Sequence, residues 1–257
     1  SPIIRFILGF FVMIGALMFL GCPIRMILRL GGGDLNALFG IAGFAGGIGF
    51  GTIFLKKGYS LQRTYALSKL ESAMMPAIQV GLLVLVVTAP AFIFFSQKGP
   101  GAMHAPWLIS LAAGLVVGGL SQFSRLCTVG GFRDLFLFKK SILIFGYLAV
   151  LIGVFVVNIS FGNFHLGFEN QPIAHTDGLW NFLGMALAGF CSVLLGGCPL
   201  RQLIMTGEGN SDSAVTVLGL GAGAAFAHNF GLAASGAGPT LNGEIAVGVG
   251  FVVALII

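Results

Sequence analysis

Apolar residues in this chain come in blocks, not in stripes. Eight blocks stand out: Pro2–Leu20, Leu35–Leu55, Ala73–Phe95, Pro106–Leu120, Ser141–Phe161, Leu179–Leu195, Ser213–Leu232 and Glu244–Ile257. Each is near the length at which a helix crosses hydrocarbon, about 20 residues. A helix that is apolar on all sides has to be covered by protein or by lipid. Three shorter pieces lie between the blocks: Pro23–Leu30, Pro199–Thr206 and a stretch around Cys127–Phe138. They are too short to cross. They read as re-entrant half-helices, which survive at membrane depth only where protein buries them or where they line a wet cavity. The pattern predicts an all-α polytopic membrane protein.

Composition points the same way. Only 8% of the 257 residues are charged, and mean hydropathy is +1.01, whereas a soluble domain carries about 25% charged residues. The 41 glycines suit close helix approach in lipid. A net charge of +5 would suggest nucleic acid in a soluble protein. Here most basic residues sit at span ends, where they set orientation. Lys56, Lys57, Arg63 and Lys69 mark one cytoplasmic stretch, and Arg133, Lys139 and Lys140 mark another. The loop Gly162–Gly178 has Glu169 and Asp177 but no Lys or Arg, so it is expected to face outward. The parity of the spans agrees.

One motif occurs twice, as GCPIR at Gly21–Arg25 and GCPLR at Gly197–Arg201, with the cysteines 176 residues apart (198 − 22). The likeness extends downstream at the same offset. Gly31–Asp34 aligns with Gly207–Asn210, and the Gly-rich runs 43–51 and 219–227 follow in register. With the charge-derived topology, the two units enter from opposite faces. That is the inverted-repeat arrangement of transporters whose site lies between broken helices. It divides a single transmembrane domain, 1–257, into half-repeats of about 1–105 and 106–257.

The motif has a chemical logic. Proline suits the first turn of a helix, where its missing N–H costs nothing. Pro23 and Pro199 therefore place Cys22 and Cys198 at or near helix N-caps, and Gly21 and Gly197 permit a tight break. Free N–H groups and the helix dipole make such an end an anion site and favour the thiolate. Arg25 and Arg201 follow one turn later, placed to pair with an anion or to balance local carboxylates. Arg29 and Arg125 also flank the cysteine segments. The sequence SRLC, at Ser124–Cys127, repeats the theme of a thiol near an arginine at a break. After it, Arg133 and Asp134 read equally well as a local ion pair. A lone buried cysteine is usually a small packing residue, and Cys191 is read that way. For Cys22 and Cys198 the duplication outweighs that reading. The candidate pathway is Cys22, Cys127, Cys198, Arg25, Arg125 and Arg201, with Gly21, Pro23, Gly197 and Pro199 shaping the backbone. His104, His165 and His175 fall in the loops expected to face outward, and His228 reads as a polar helix contact before a proton carrier. No nucleophile–base–acid set, metal cluster, phosphate loop or dinucleotide fingerprint is visible. Transport is therefore favoured over an enzyme, and no cofactor or metal is expected. A membrane thiol-dependent sulfur or selenium transferase with Cys198 as nucleophile is the rival of another class, and a subunit without flux is a third.

GCPIR, SRLCTVGGFRD and GCPLRQLIMTGEGNSDS together resemble the YeeE/YedE family of sulfur-transport membrane proteins. AHTDGLWNFLG and AHNFGL resemble its YedE-related branch, associated with selenium metabolism. The likeness runs over essentially the whole chain. It implies an hourglass-shaped permease of a bacterial or archaeal cytoplasmic membrane, with Cys22, Cys127 and Cys198 on the conduction path. The substrate implied is a small selenium- or sulfur-containing anion, with thiosulfate uptake as the alternative, and the partner implied is a TusA-like sulfur carrier on the cytoplasmic side. The family pattern carries a further cysteine motif in each half. Here the mate of Cys127 would fall before Ser1, so additional N-terminal sequence is expected.

Overall fold

The computed structural model describes residues 1–61, 69–89, 92 and 105–257, with the side chains of 69–72 and 75 also outside the description. Arg63 and His104 lie outside it. The described residues form eleven helices: α1 (Pro2–Phe19), α2 (Pro23–Gly31), α3 (Asn36–Lys56), α4 (Lys69–Thr88), α5 (Trp107–Phe123), α6 (Thr128–Phe138), α7 (Ile142–Ser160), α8 (Gly178–Leu195), α9 (Pro199–Gly207), α10 (Ser211–Asn229) and α11 (Leu241–Ile256). All eight apolar blocks and all three short pieces correspond to helices. The helix of the third block starts earlier than its apolar stretch suggests, because α4 takes in the polar turn from Lys69.

Five segments are long and apolar enough to cross a membrane: Pro2–Gly31, Asn36–Lys56, Trp107–Phe138, Ile142–Ser160 and Gly178–Gly207. The chain is a multi-pass helical membrane protein. Three of these segments are interrupted, at Cys22, Cys127 and Cys198 respectively.

Helices α1, α3, α8 and α10 form the centre, with α3 against α8, α1 against α10, and α1 crossing α8. Glycine sets these distances. A Cβ on Gly43 would meet the Phe182 carbonyl oxygen, and one on Gly47 that of Ala186. In the other pair, Gly219 abuts the Phe6 carbonyl and Gly223 that of Phe10. Add 176 to Gly43 and Gly47, subtract it from Phe182 and Ala186, and the second set of contacts results. At the α1–α8 crossing, Gly15 and Gly184 meet backbone to backbone. In lipid, where hydrophobicity does not draw helices together, such close contact is a main source of association. The outer helices look different. Leu115 on α5 is 69% exposed and Ile142 on α7 is 79% exposed, as a lipid-facing surface requires.

The ends of the bundle differ in charge. Arg5 bonds Asp212 at 3.0 Å and the Leu61 carbonyl at 3.2 Å, so the starts of α1 and α10 share an end with the chain after α3. Lys56 and Lys57 lie at that end. At the opposite end the loop after α7 lies over the α2–α3 turn. His165 N–H donates to Gly32, Gly167 N–H to Gly33, and Leu35 N–H to Gly167. His175 reaches the Met18 carbonyl at 2.8 Å. Helices α1 and α10 therefore run one way and α3 and α8 the other.

Candidate functional site: three cysteine-capped helix breaks

The breaks at Cys22, Cys127 and Cys198 share one backbone design. Two residues before each cysteine the chain turns left-handed, at Leu20 (φ 64), Arg125 (φ 52) and Gly196 (φ 84). The next N–H bonds five residues back: Gly21 to Ala16 at 2.8 Å, Leu126 to Ser121 at 3.0 Å, and Gly197 to Ser192 at 3.1 Å. This is the wide hydrogen bond of a left-handed helix C-cap, which satisfies carbonyls the ended helix leaves open. The cysteine then adopts an extended conformation and is the N-cap of the next helix, α2, α6 or α9. At Cys127 the sulfur accepts the Gly130 N–H at 3.3 Å.

The glycines of GCPxR do not make the turn expected of them. The left-handed turn falls one residue earlier, on Leu20 and Gly196. Gly21 instead leaves room for the following arginine, whereas Gly197 is not crowded. A Cβ on Gly21 would stand 2.9 Å from Arg25 Cδ, and one on Gly197 would stand 3.5 Å from Arg201 Cβ. The arginine stem folds back over the break.

The structure brings two of the three thiols together. Cys127 and Cys198 are both buried and lie next to each other in one cluster. Thr128 and the Arg201 backbone N–H lie close to the Cys198 sulfur. Cys22 is partly exposed and lines a cavity of about 970 Å³ together with Gly21 and Arg25. Tyr147 belongs to the same buried cluster as Cys127 and Cys198. It is near both Cys22 and Cys198, its hydroxyl donates to the Pro23 carbonyl at 3.4 Å, and its ring packs on Phe132. Sequence reasoning missed Tyr147 and Thr128. A tyrosine inside an apolar block carries no spacing signal of its own, and Thr128 reads as an ordinary helix start.

The arginines divide. Arg25 stays beside Cys22, and its buried Nε has no partner. Arg201 donates to Gln122 Oε1 at 2.7 Å, and Gln122 in turn reaches Glu208, so a carboxylate balances it through an amide. Arg125 is exposed, with its backbone forming the turn. Arg133 and Asp134 form the local ion pair, at 2.8 Å. Cys191 is fully buried in the apolar centre beside Leu8 and Leu187, the place of a packing residue. Among the described residues no His/Cys/Asp/Glu group could hold a metal.

Thiols at helix N-caps, with partly buried guanidinium groups beside two of them, suit a soft, polarisable anion. Residues 123–247 match the family model described as sulphur transport. The matched region holds Cys127, Cys198, Arg201 and the α8–α10 unit, and covers just under half of the chain. A search of curated proteins finds no match.

Proposed function

We propose that the protein is a permease that carries a small sulfur- or selenium-containing anion past Cys22, Cys127 and Cys198. A selenium compound is the first substrate expected, and thiosulfate the alternative. The observation that carries the reading is the recurrence of one break, capped by cysteine, in three membrane-crossing segments, with two of the thiols in contact. Polarisable sulfur atoms offer soft contacts that hydroxyls do not. Arg25 and Arg201 supply positive charge at the two related breaks, and the match of residues 123–247 to a sulphur-transport family supports the class of cargo.

The α1–α3 and α8–α10 units form an inverted pair in this reading, with the Lys56/Lys57 end cytoplasmic. The exchanged glycine contacts and the opposed directions of α1 and α8 support it. Carriage does not require a covalent bond to cysteine. The test is uptake into proteoliposomes of labelled thiosulfate, selenite and sulfate. Cys127→Ala and Cys198→Ala should each lower uptake of the carried anion at least tenfold, while Cys191→Ala leaves it unchanged. Undiminished uptake in both of the first two variants overturns the thiol pathway.

A further inference from the structure

The loop end of the bundle holds a second cavity, of about 490 Å³, which no cysteine lines. Its walls include Arg25 and Arg29 from α2, Asp34 from the α2–α3 turn, Asn158 from α7, and His165 and Gln171 from the loop after α7. Arg29 is nearly enclosed, with 6% of its side chain exposed. Two of its nitrogens are committed: Nε donates to Asp34 Oδ2 at 2.6 Å, and Nη1 to the Phe19 carbonyl at 2.6 Å. Its ring partner is Phe19, 4.0 Å away. The third nitrogen, Nη2, is buried without a partner, as is Nε of Arg25.

Buried donors without acceptors are costly, and most costly on charged groups. The Arg29 donor is fixed in place. Asp34 holds Arg29, and the backbone N–H and Nδ2 of Asn36 hold Asp34, both at 2.9 Å. Asp34 is the one carboxylate among the described lining residues, and Arg29 already neutralises it. The charge of Arg25 is left over, so the cavity is positive. Arg25 also lines the cavity of Cys22, which makes it the wall shared by the two.

We propose that this cavity is a recognition site for a small oxyanion, separate from the thiols. Its oxygens would take the free N–H groups of Arg29 Nη2 and Arg25 Nε. Guanidinium groups select for charge and oxygen geometry and do not distinguish sulfate from thiosulfate. The site therefore admits both, and choice between them falls to the cysteines. As a feeder for Cys22 it rests on the permease reading; as a binding site it stands alone.

Equilibrium dialysis of the full chain in detergent, at low chloride, with labelled sulfate and labelled thiosulfate, tests this. Both anions should bind, and each should displace the other. Arg25→Gln should weaken both at least tenfold, and so should the double variant R29Q/D34N, which removes both charges of the pair together. Cys191→Ala, at a packing position that lines neither cavity, should leave binding within about twofold. If the double variant fails to fold, Arg25→Gln, at a partly exposed position, decides alone. Unchanged binding of both anions in Arg25→Gln overturns the site. Uptake that survives the cysteine changes, with binding still governed by Arg25, removes the thiol pathway and leaves this site standing.

Discussion

Arg125 shows how backbone and charge can be separated at one residue. Its φ of 52 is a conformation that costs a non-glycine residue about 1 kcal/mol, and its side chain is exposed. Arg125→Gly should therefore stabilise the protein by about 0.5–1 kcal/mol, seen as a raised thermal midpoint in detergent. If the Arg125 charge also serves the pathway, the same variant loses uptake while gaining stability. His175 gives a pH prediction at the same scale. Burial pushes its imidazole below the ordinary value of 6.5, against the pull of the Met18 carbonyl and of Asp177. The folded chain holds it neutral, so as pH falls below about 6.5 the unfolded chain binds the extra proton first. Its stabilisation is complete above that value and is lost as pH drops through the lower folded value. Melting followed from pH 8 to 5 should show the midpoint falling, with a shallower fall in His175→Gln. The cysteines were legible in the sequence because the motif repeats. The contact of Cys127 with Cys198 was not, since 71 residues separate them and no pattern links a break in one segment to a break in another.

At the scale of elements, glycine position decides how helices meet. Gly43 and Gly219 each face a carbonyl closer than any Cβ allows. Gly43→Ala and Gly219→Ala should each cost about 1–3 kcal/mol, the range for overpacking a close contact. Gly118→Ala on α5 has open space and should be neutral or slightly stabilising, by helix propensity. Denaturation of the purified variants in detergent ranks them. If Gly43→Ala and Gly118→Ala behave alike, the close crossing is wrong. The helices themselves were readable because a block of apolar residues about 20 long leaves few alternatives. Left-handed turns at Leu20 and Arg125 were not readable, since neither residue type favours that conformation. At Gly196 the residue does signal it. In GCPxR the left-handed turn belongs to the residue before the glycine, and the room Gly21 makes for the Arg25 stem depends on a fold-back that spacing does not show.

At the scale of the molecule, two buried ion pairs pin opposite ends. Arg29–Asp34 holds the α2–α3 turn, and Arg5–Asp212 joins the starts of α1 and α10. They are not copies of one another: the positions related to Arg29 and Asp34 by 176 residues are Met205 and Asn210. The related turns nevertheless keep the same backbone, with left-handed Gly33 and Gly209 and matching bonds from Asp34 to Arg29 and from Asn210 to Met205. Breaking one partner of a buried pair costs about 3–5 kcal/mol. Asp34→Asn alone should therefore destabilise more than R29Q/D34N, which leaves no unpaired charge. The exchanged contacts of the two halves give the whole molecule its central claim, that cysteine-capped breaks from both halves form one path. Uptake of labelled thiosulfate and selenite by proteoliposomes holding wild type, Cys22→Ala, Cys198→Ala or Cys191→Ala tests that claim most directly. The account predicts uptake by wild type and by Cys191→Ala, and at least a tenfold loss in the other two. Equal uptake in all four would contradict it.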